Sequence, residues 1–160
     1  MDKNTQVLFE RYLTIIENLT DTAKTIAQVE EEKAVAVSYR RHELLEHFTR
    51  REQALILKLR GQDQHRRRLT KAFGWENLTF SQILEKSDPE QRTDLAPRFR
   101  DLEQQLRRLQ ESKEIAEQVI HVRVYELLIA LRQEEGVPYD DTRNVCLDRF
   151  PQAKLIDRYV

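Results

Sequence analysis

One apolar stripe constrains this chain more than any other feature. Leu95, Phe99, Leu102, Leu106, Leu109, Ala116, Ile120, Val124, Leu127 and Leu131 recur at helical spacing, with Lys113 alone interrupting the line. Steps of three and four residues return side chains to one face of an α-helix. No glycine or proline stands between Pro97 and Gly136. The spacing therefore predicts one long helix from Pro89 to about Glu135. Asp88 suits its N-cap, Pro89 its first helical position, and Gly136-Val137-Pro138 its end. Pro97 lies inside it, where a kink or restart is expected.

A helix this long needs partners of similar length. Leu8, Tyr12, Ile15, Leu19, Ala23 and Ile26 form a stripe of the same period, predicting a first helix over about 4–35. Ala34 to Tyr39 breaks that period and is read as a tight connection. Leu44, Leu45, Phe48, Leu55, Leu59, Leu69 and Phe73 mark a second helix over about 41–73. Its stripe thins across the polar run Gly61-Gln62-Asp63-Gln64-His65, and Gly74 stops it. Thr79 opens a short helix, 79–86, with Phe80, Ile83 and Leu84 inward. Helices of ~30 residues are ~45 Å long, and two in sequence pair most simply as an antiparallel hairpin. The expected fold class is all-α: an elongated bundle of three long helices, one short helix between the second and third, and a C-terminal tail. The bundle occupies 1–135 and the tail 136–160.

Composition agrees and excludes several functions. Only three glycines and four prolines punctuate 160 residues, too few for a β-rich fold. Basic and acidic residues number 27 and 28, so the basic surplus of a nucleic-acid binder is missing. No apolar run reaches the roughly 18 residues of a membrane span, and the N-terminus carries no signal-peptide pattern. Cys146 is the single cysteine, which rules out an intramolecular disulfide and suits a cytoplasmic setting.

Chemical motifs do not emerge. His42-Glu43-Leu44-Leu45-Glu46-His47 places its histidines five apart, whereas a zinc protease helix needs them four apart. Solvated charges on a helix surface are expected instead, with a weak intrahelical pair open to His42 and Glu46. His65-Arg66-Arg67-Arg68 points all round a helix and makes no phosphate-binding strip; Asp63, Glu52 and Glu30-Glu31-Glu32 are available to offset it. Cys146 has no nearby base and orienting group. No catalytic residue, metal site or cofactor is expected, and the chain reads as a non-enzymatic protein.

What the sequence does offer is an asymmetry within the third long helix. From Arg98 to Lys113 four of 16 residues are apolar; from Val119 to Leu131 ten of 13 are. The main stripe uses only Ile120, Val124, Leu127 and Leu131 of these. Ile115, Val119, Val122 and Ile129 fall on a second face, with Tyr125 and Leu128 in a third sector. A helix apolar all round must be covered on every side. Either the other helices and the tail cover it, or a partner helix does.

The layout resembles the FlgN-type flagellar export chaperones. Arg50-Arg51-Glu52-Gln53-Ala54-Leu55-Ile56 through Arg66-Arg67-Arg68-Leu69 is similar to that family's charged second helix. Leu78-Thr79-Phe80-Ser81-Gln82-Ile83-Leu84 is similar to its short middle element, Leu102 to Leu109 and onward to its third helix, and Val137-Pro138-Tyr139-Asp140 to the Tyr-centred segment that follows. The resemblance spans about residues 5–140. It implies a cytoplasmic chaperone that binds the C-terminal segments of hook-associated proteins, prevents their premature assembly, and delivers them to the cytoplasmic domain of the flagellar export gate. On that reading Ile115, Val119, Val122, Tyr125, Leu128 and Ile129 hold the client. Tyr139 docks on the gate, and Phe150, Leu155 and Ile156 supply tail contacts. A homodimer is a further possible partner arrangement. The competing expectation is a coiled-coil scaffold or stalk component of a secretion apparatus.

Overall fold

The computed structural model describes residues 2–135. They form an all-α bundle: α1 (Lys3–Ser38), a 3-10 turn (His42–Leu44), α2 (Leu45–Ala72), α3 (Phe80–Lys86) and α4 (Pro89–Glu135). The helix starts follow local chemistry. Asp2 Oδ1 accepts hydrogen bonds from the amides of Asn4 (2.6 Å) and Thr5 (3.1 Å), two of the donors a helix start leaves unpaired. Thr79 and Gln82 form a reciprocal capping box on α3. At α4 the Gln91 side chain accepts from the Asp88 amide at 3.2 Å.

Two boundaries differ from expectation. The Ala34–Tyr39 stretch is no connection: α1 continues through it to Ser38, and Ala34, Ala36 and Val37 are buried. These small and β-branched residues pack against neighbouring helices, and that packing outweighs the lapse in period. α2 correspondingly begins at Leu45, after the 3-10 turn, not at Arg41. Pro97 neither stops nor restarts α4, which is assigned as one helix through it.

The exits of α1 and α2 are built alike. At the end of α2, Gly74 has φ +71°, Trp75 N–H reaches Thr70 O at 3.0 Å and Gly74 N–H reaches Lys71 O at 3.0 Å, the Schellman pattern. At the end of α1, Arg41 N–H reaches Ala36 O (2.8 Å) and Arg40 N–H reaches Val37 O (3.0 Å), but the left-handed position is Arg40, φ 60°. A side chain there is strained where glycine is not. Arg40→Gly is expected to stabilise the protein by roughly 0.5–1 kcal/mol; an unchanged or lower urea midpoint would contradict this.

α1 is the central element and packs along both α2 and α4. Lys33 meets Glu52, and Tyr12 meets Phe73, so α1 and α2 run antiparallel, as the hairpin expectation holds. Glu17 meets Arg98 and Glu31 meets Arg108 and Ser112, so α4 runs parallel to α1. The return is made by the α2–α3 connection and α3. Arg92 locks it, donating to Leu84 O (2.9 Å) and Ser87 O (3.2 Å), carbonyls left open where α3 ends.

The core has an aromatic end and an ionic end. At the first, Tyr12 contacts Phe73, Trp75 and Phe99 edge-on, Phe73 stacks on Trp75 (4.7 Å) and Phe80 stacks on Phe99 (4.2 Å). Ile16, Leu19, Ile26, Leu95, Leu102, Leu106 and Leu109 continue it along the bundle. Toward the other end α2 contributes little: Leu45, Phe48, Leu55 and Ile56 are only half-buried. Charged residues replace apolar ones there.

Candidate functional site

That ionic end joins all three long helices. Lys33 of α1 reaches Glu30 at 3.0 Å and Glu52 of α2 at 2.7 Å, and Lys113 of α4 reaches the other oxygen of Glu52 at 3.5 Å. All four side chains are buried. Lys113, the one break in the long stripe, thus sits in the core line because Glu52 lies opposite it. Charges removed from water persist only when paired. Burial pushes the Glu30 carboxyl up to about 7, and the Glu52 carboxyl beside it acts in the same direction. Burial opposes the charge on Glu52 as well, but hydrogen bonds from Glu30 and Lys33 outweigh it and its net shift is downward. Lys33 is likewise desolvated, yet its two carboxylate partners raise it overall.

The sign for Glu30 is opposite to that of an ordinary salt-bridged carboxylate. Its folded state prefers the neutral form, so stability falls as pH rises from about 4.5 through about 7. Glu30→Gln mimics the neutral form at every pH. Its stability is expected to match the wild type near pH 5 and to exceed it by roughly 2 kcal/mol at pH 8. Urea titrations at the two pH values check this; an equal effect at both would refute it.

Other charges settle as follows. Asp63 is buried and pairs with Arg66 (3.0 Å) and Arg67 (3.1 Å), and Arg66 also reaches Thr70 Oγ1 at 3.5 Å. The polar gap in the second stripe thus holds one buried carboxylate, Asp63, paired with the buried Arg66. Asp63 does offset the basic cluster, as expected. Glu52 and the Glu30–Glu32 run do not: Glu31 binds Arg108 and Glu32 binds Arg51. Glu46 pairs with Arg50, not His42, which lies in the 3-10 turn. Beside Arg67 an open cleft of about 460 Å³ runs past Thr70, Asn77 and Thr79, and its cations are already engaged by Asp63.

Just past the ionic cluster the core stops. The last buried apolar residue of α1 is Val37 and the last of α4 is Ala116. The two coincide in space. Glu31 meets Ser112, and the helices are parallel, so Ser38 lies level with about residue 119. α2 begins at Leu45, near the same level, since Lys33 opposes Glu52. Residues 120–135 of α4 thus extend about 24 Å past the end of α1.

This overhang is the apolar half of α4. Of the six proposed client-holding residues, Ile115 and Val122 are exposed, while Val119, Tyr125, Leu128 and Ile129 are half-buried. Ile115 and Val122 point away from the bundle, nearly opposite the core line. The main stripe, continuous in spacing, changes character here. Ile120 and Val124 are half-buried, and Leu127 and Leu131 are 50% and 52% exposed. They occupy the same helical line as Leu102, Leu106 and Leu109, each at most 2% exposed. α1 has ended, so no described helix lies against them. Spacing alone assigns Leu127 and Leu131 to the core, because spacing does not reveal where the opposing helix stops. Tyr139, Phe150, Leu155 and Ile156, with Cys146, lie outside the described residues.

Among the described residues no helix is long and apolar enough to cross a membrane, and no group of three or more histidines, cysteines or carboxylates could hold a metal ion. A family model described as FlgN protein matches residues 1–133. No curated protein and no solved structure matches the chain.

Proposed function

The chain belongs to the FlgN family of flagellar export chaperones, and we propose that it binds hook-associated proteins in the cytoplasm and delivers them to the export gate. The observation that carries this reading is the overhang: sixteen residues of α4 with apolar side chains on several faces, beyond the end of the helix that covers the rest. Client segments that become helical only on assembly have an apolar face to shield beforehand. Holding that face keeps the client from assembling early. Burial at ~25 cal/mol per Å² allows four or five side chains to drive micromolar or better binding after association costs.

Ile115, Val119, Val122, Tyr125, Leu128 and Ile129 are the proposed contact residues on α4. Phe150, Leu155 and Ile156 add contacts from the C-terminal segment, and Tyr139 docks on the cytoplasmic domain of the gate. The protein is expected to form a 1:1 complex with the C-terminal segment of a hook-associated protein in calorimetry. Failure to bind any such segment would reject the proposal. Tyr139→Ala is expected to weaken gate binding while leaving client binding intact.

The exposure of Leu127 and Leu131 also suits a self-associating scaffold, which would hold them in a homodimer. That reading requires a stable dimer with no preference for unfolded client segments. Light scattering across concentration separates the two.

A further inference from the structure

We propose that the client segment docks end-on to α1, as a helix laid along Ile120, Val124, Leu127 and Leu131 in line with α1. This rests on the chaperone reading and adds to its contact residues the face of α4 that continues the core line. Two faces of the overhang are apolar. The outward one carries Val122. The other continues the α1–α4 interface without a change of line. Leu102, Leu106, Leu109 and Ala116 pack on α1; Ile120, Val124, Leu127 and Leu131 carry the same line past the point where α1 ends.

The steps along that continuation are four, three and four residues, the spacing of a helix–helix seam. A helix set there buries side chains whose environment the fold has already shaped. It needs no rearrangement of α1 or α2. The occupant is thus an amphipathic segment of three to four turns with apolar residues at steps of three and four. One of its ends abuts the turn after α1, where Tyr39 is 75% exposed.

The test compares two double variants of the full chain, titrated with the C-terminal segment of a hook-associated protein. L127D/L131D is expected to weaken binding at least about a hundredfold, since each leucine loses its burial. V7D/L57D, at exposed positions of α1 and α2 away from the overhang, is expected to stay within about threefold. Both pairs are exposed, so neither variant should lower the melting temperature. In a Cys146→Ser background, a bifunctional reagent on Tyr39→Cys should cross-link one end of the segment, and on Val7→Cys, at the far end of α1, it should not.

The reverse ranking of the two variants overturns the placement. So does a client complex indifferent to Leu127 and Leu131, including the case in which L127D/L131D merely converts a dimer to a monomer and the occupant is a second copy. If the segment binds only after residues 136–160 are removed, the chain's own C-terminal segment is the occupant, and the placement is overturned. Absence of any wild-type complex rejects the chaperone reading itself, and the placement with it.

Discussion

Lys33→Met is expected to lower the unfolding free energy by about 3–5 kcal/mol, a large share of the roughly 5–15 kcal/mol typical of a domain. The lysine bridges Glu30 and Glu52 across two helices, and all three side chains are buried. Without it two carboxylates face each other, with Lys113, 3.5 Å from Glu52, left as their counter-charge. Glu30 escapes part of the cost by staying protonated at low pH, since its carboxyl already titrates at about 7. The loss should therefore be larger at pH 8 than at pH 5.5. Denaturant unfolding at both values measures it, and a variant within about 1 kcal/mol of wild type at pH 8 would show that the cluster is inert.

A companion variant separates stability from specificity. Replacing Glu30, Lys33, Glu52 and Lys113 together by methionine or leucine removes every charge of the cluster at once. Such replacements are commonly neutral or stabilising by about 1–4 kcal/mol. The contrast follows from desolvation: a paired buried charge roughly breaks even, and an unpaired one does not. On this view the cluster fixes the relative register of three helices more than it strengthens them. That register sets where α1 ends against α4, and so how much of α4 projects beyond it.

Trp75→Ala is expected to cost about 3–5 kcal/mol. Trp75 is buried, stacks on Phe73 and packs edge-on to Tyr12 at 5.7 Å. It directly follows Gly74, whose left-handed backbone turns the chain back onto the bundle. Truncation opens a cavity between α1, the end of α2 and the start of α4, and rings held by several neighbours cannot collapse into it. The loss should appear as a fall in melting temperature with the client affinity of the folded protein unchanged, because the overhang lies at the opposite end. A fall in client affinity under fully folded conditions would contradict that separation.

The candidate site is half legible in the sequence. The apolar excess after Ile115 stands out by composition alone, since ten of 13 residues from Val119 to Leu131 are apolar. Which of its faces lacks cover is not legible. Ile115 and Val122 look available because they lie off the main stripe, and they are exposed. Leu127 and Leu131 look covered because they lie on it, and they are half exposed. Periodicity reports direction around a helix; it carries no information about where a neighbouring helix stops.

The same division holds for the whole molecule. Helix starts and stops are determined by residues within a few positions of each other. Asp2, Thr79 with Gln82, Asp88 with Gln91, and Gly74 each satisfy or terminate a local hydrogen-bond ladder. The class of fold follows from three stripes of helical period and little punctuation. The tertiary structure decides what each stripe faces. Lys113 looks like a fault in the long stripe and proves to be the partner of Glu52, sixty-one positions earlier. Asp63 stands in the polar run of the second stripe and proves to be buried with Arg66. Even the long apolar stripe, the plainest signal in the chain, is core only as far as Ala116. Beyond it the same spacing yields an open face, because burial depends on the length of the opposing helix, and that length is written some eighty residues away.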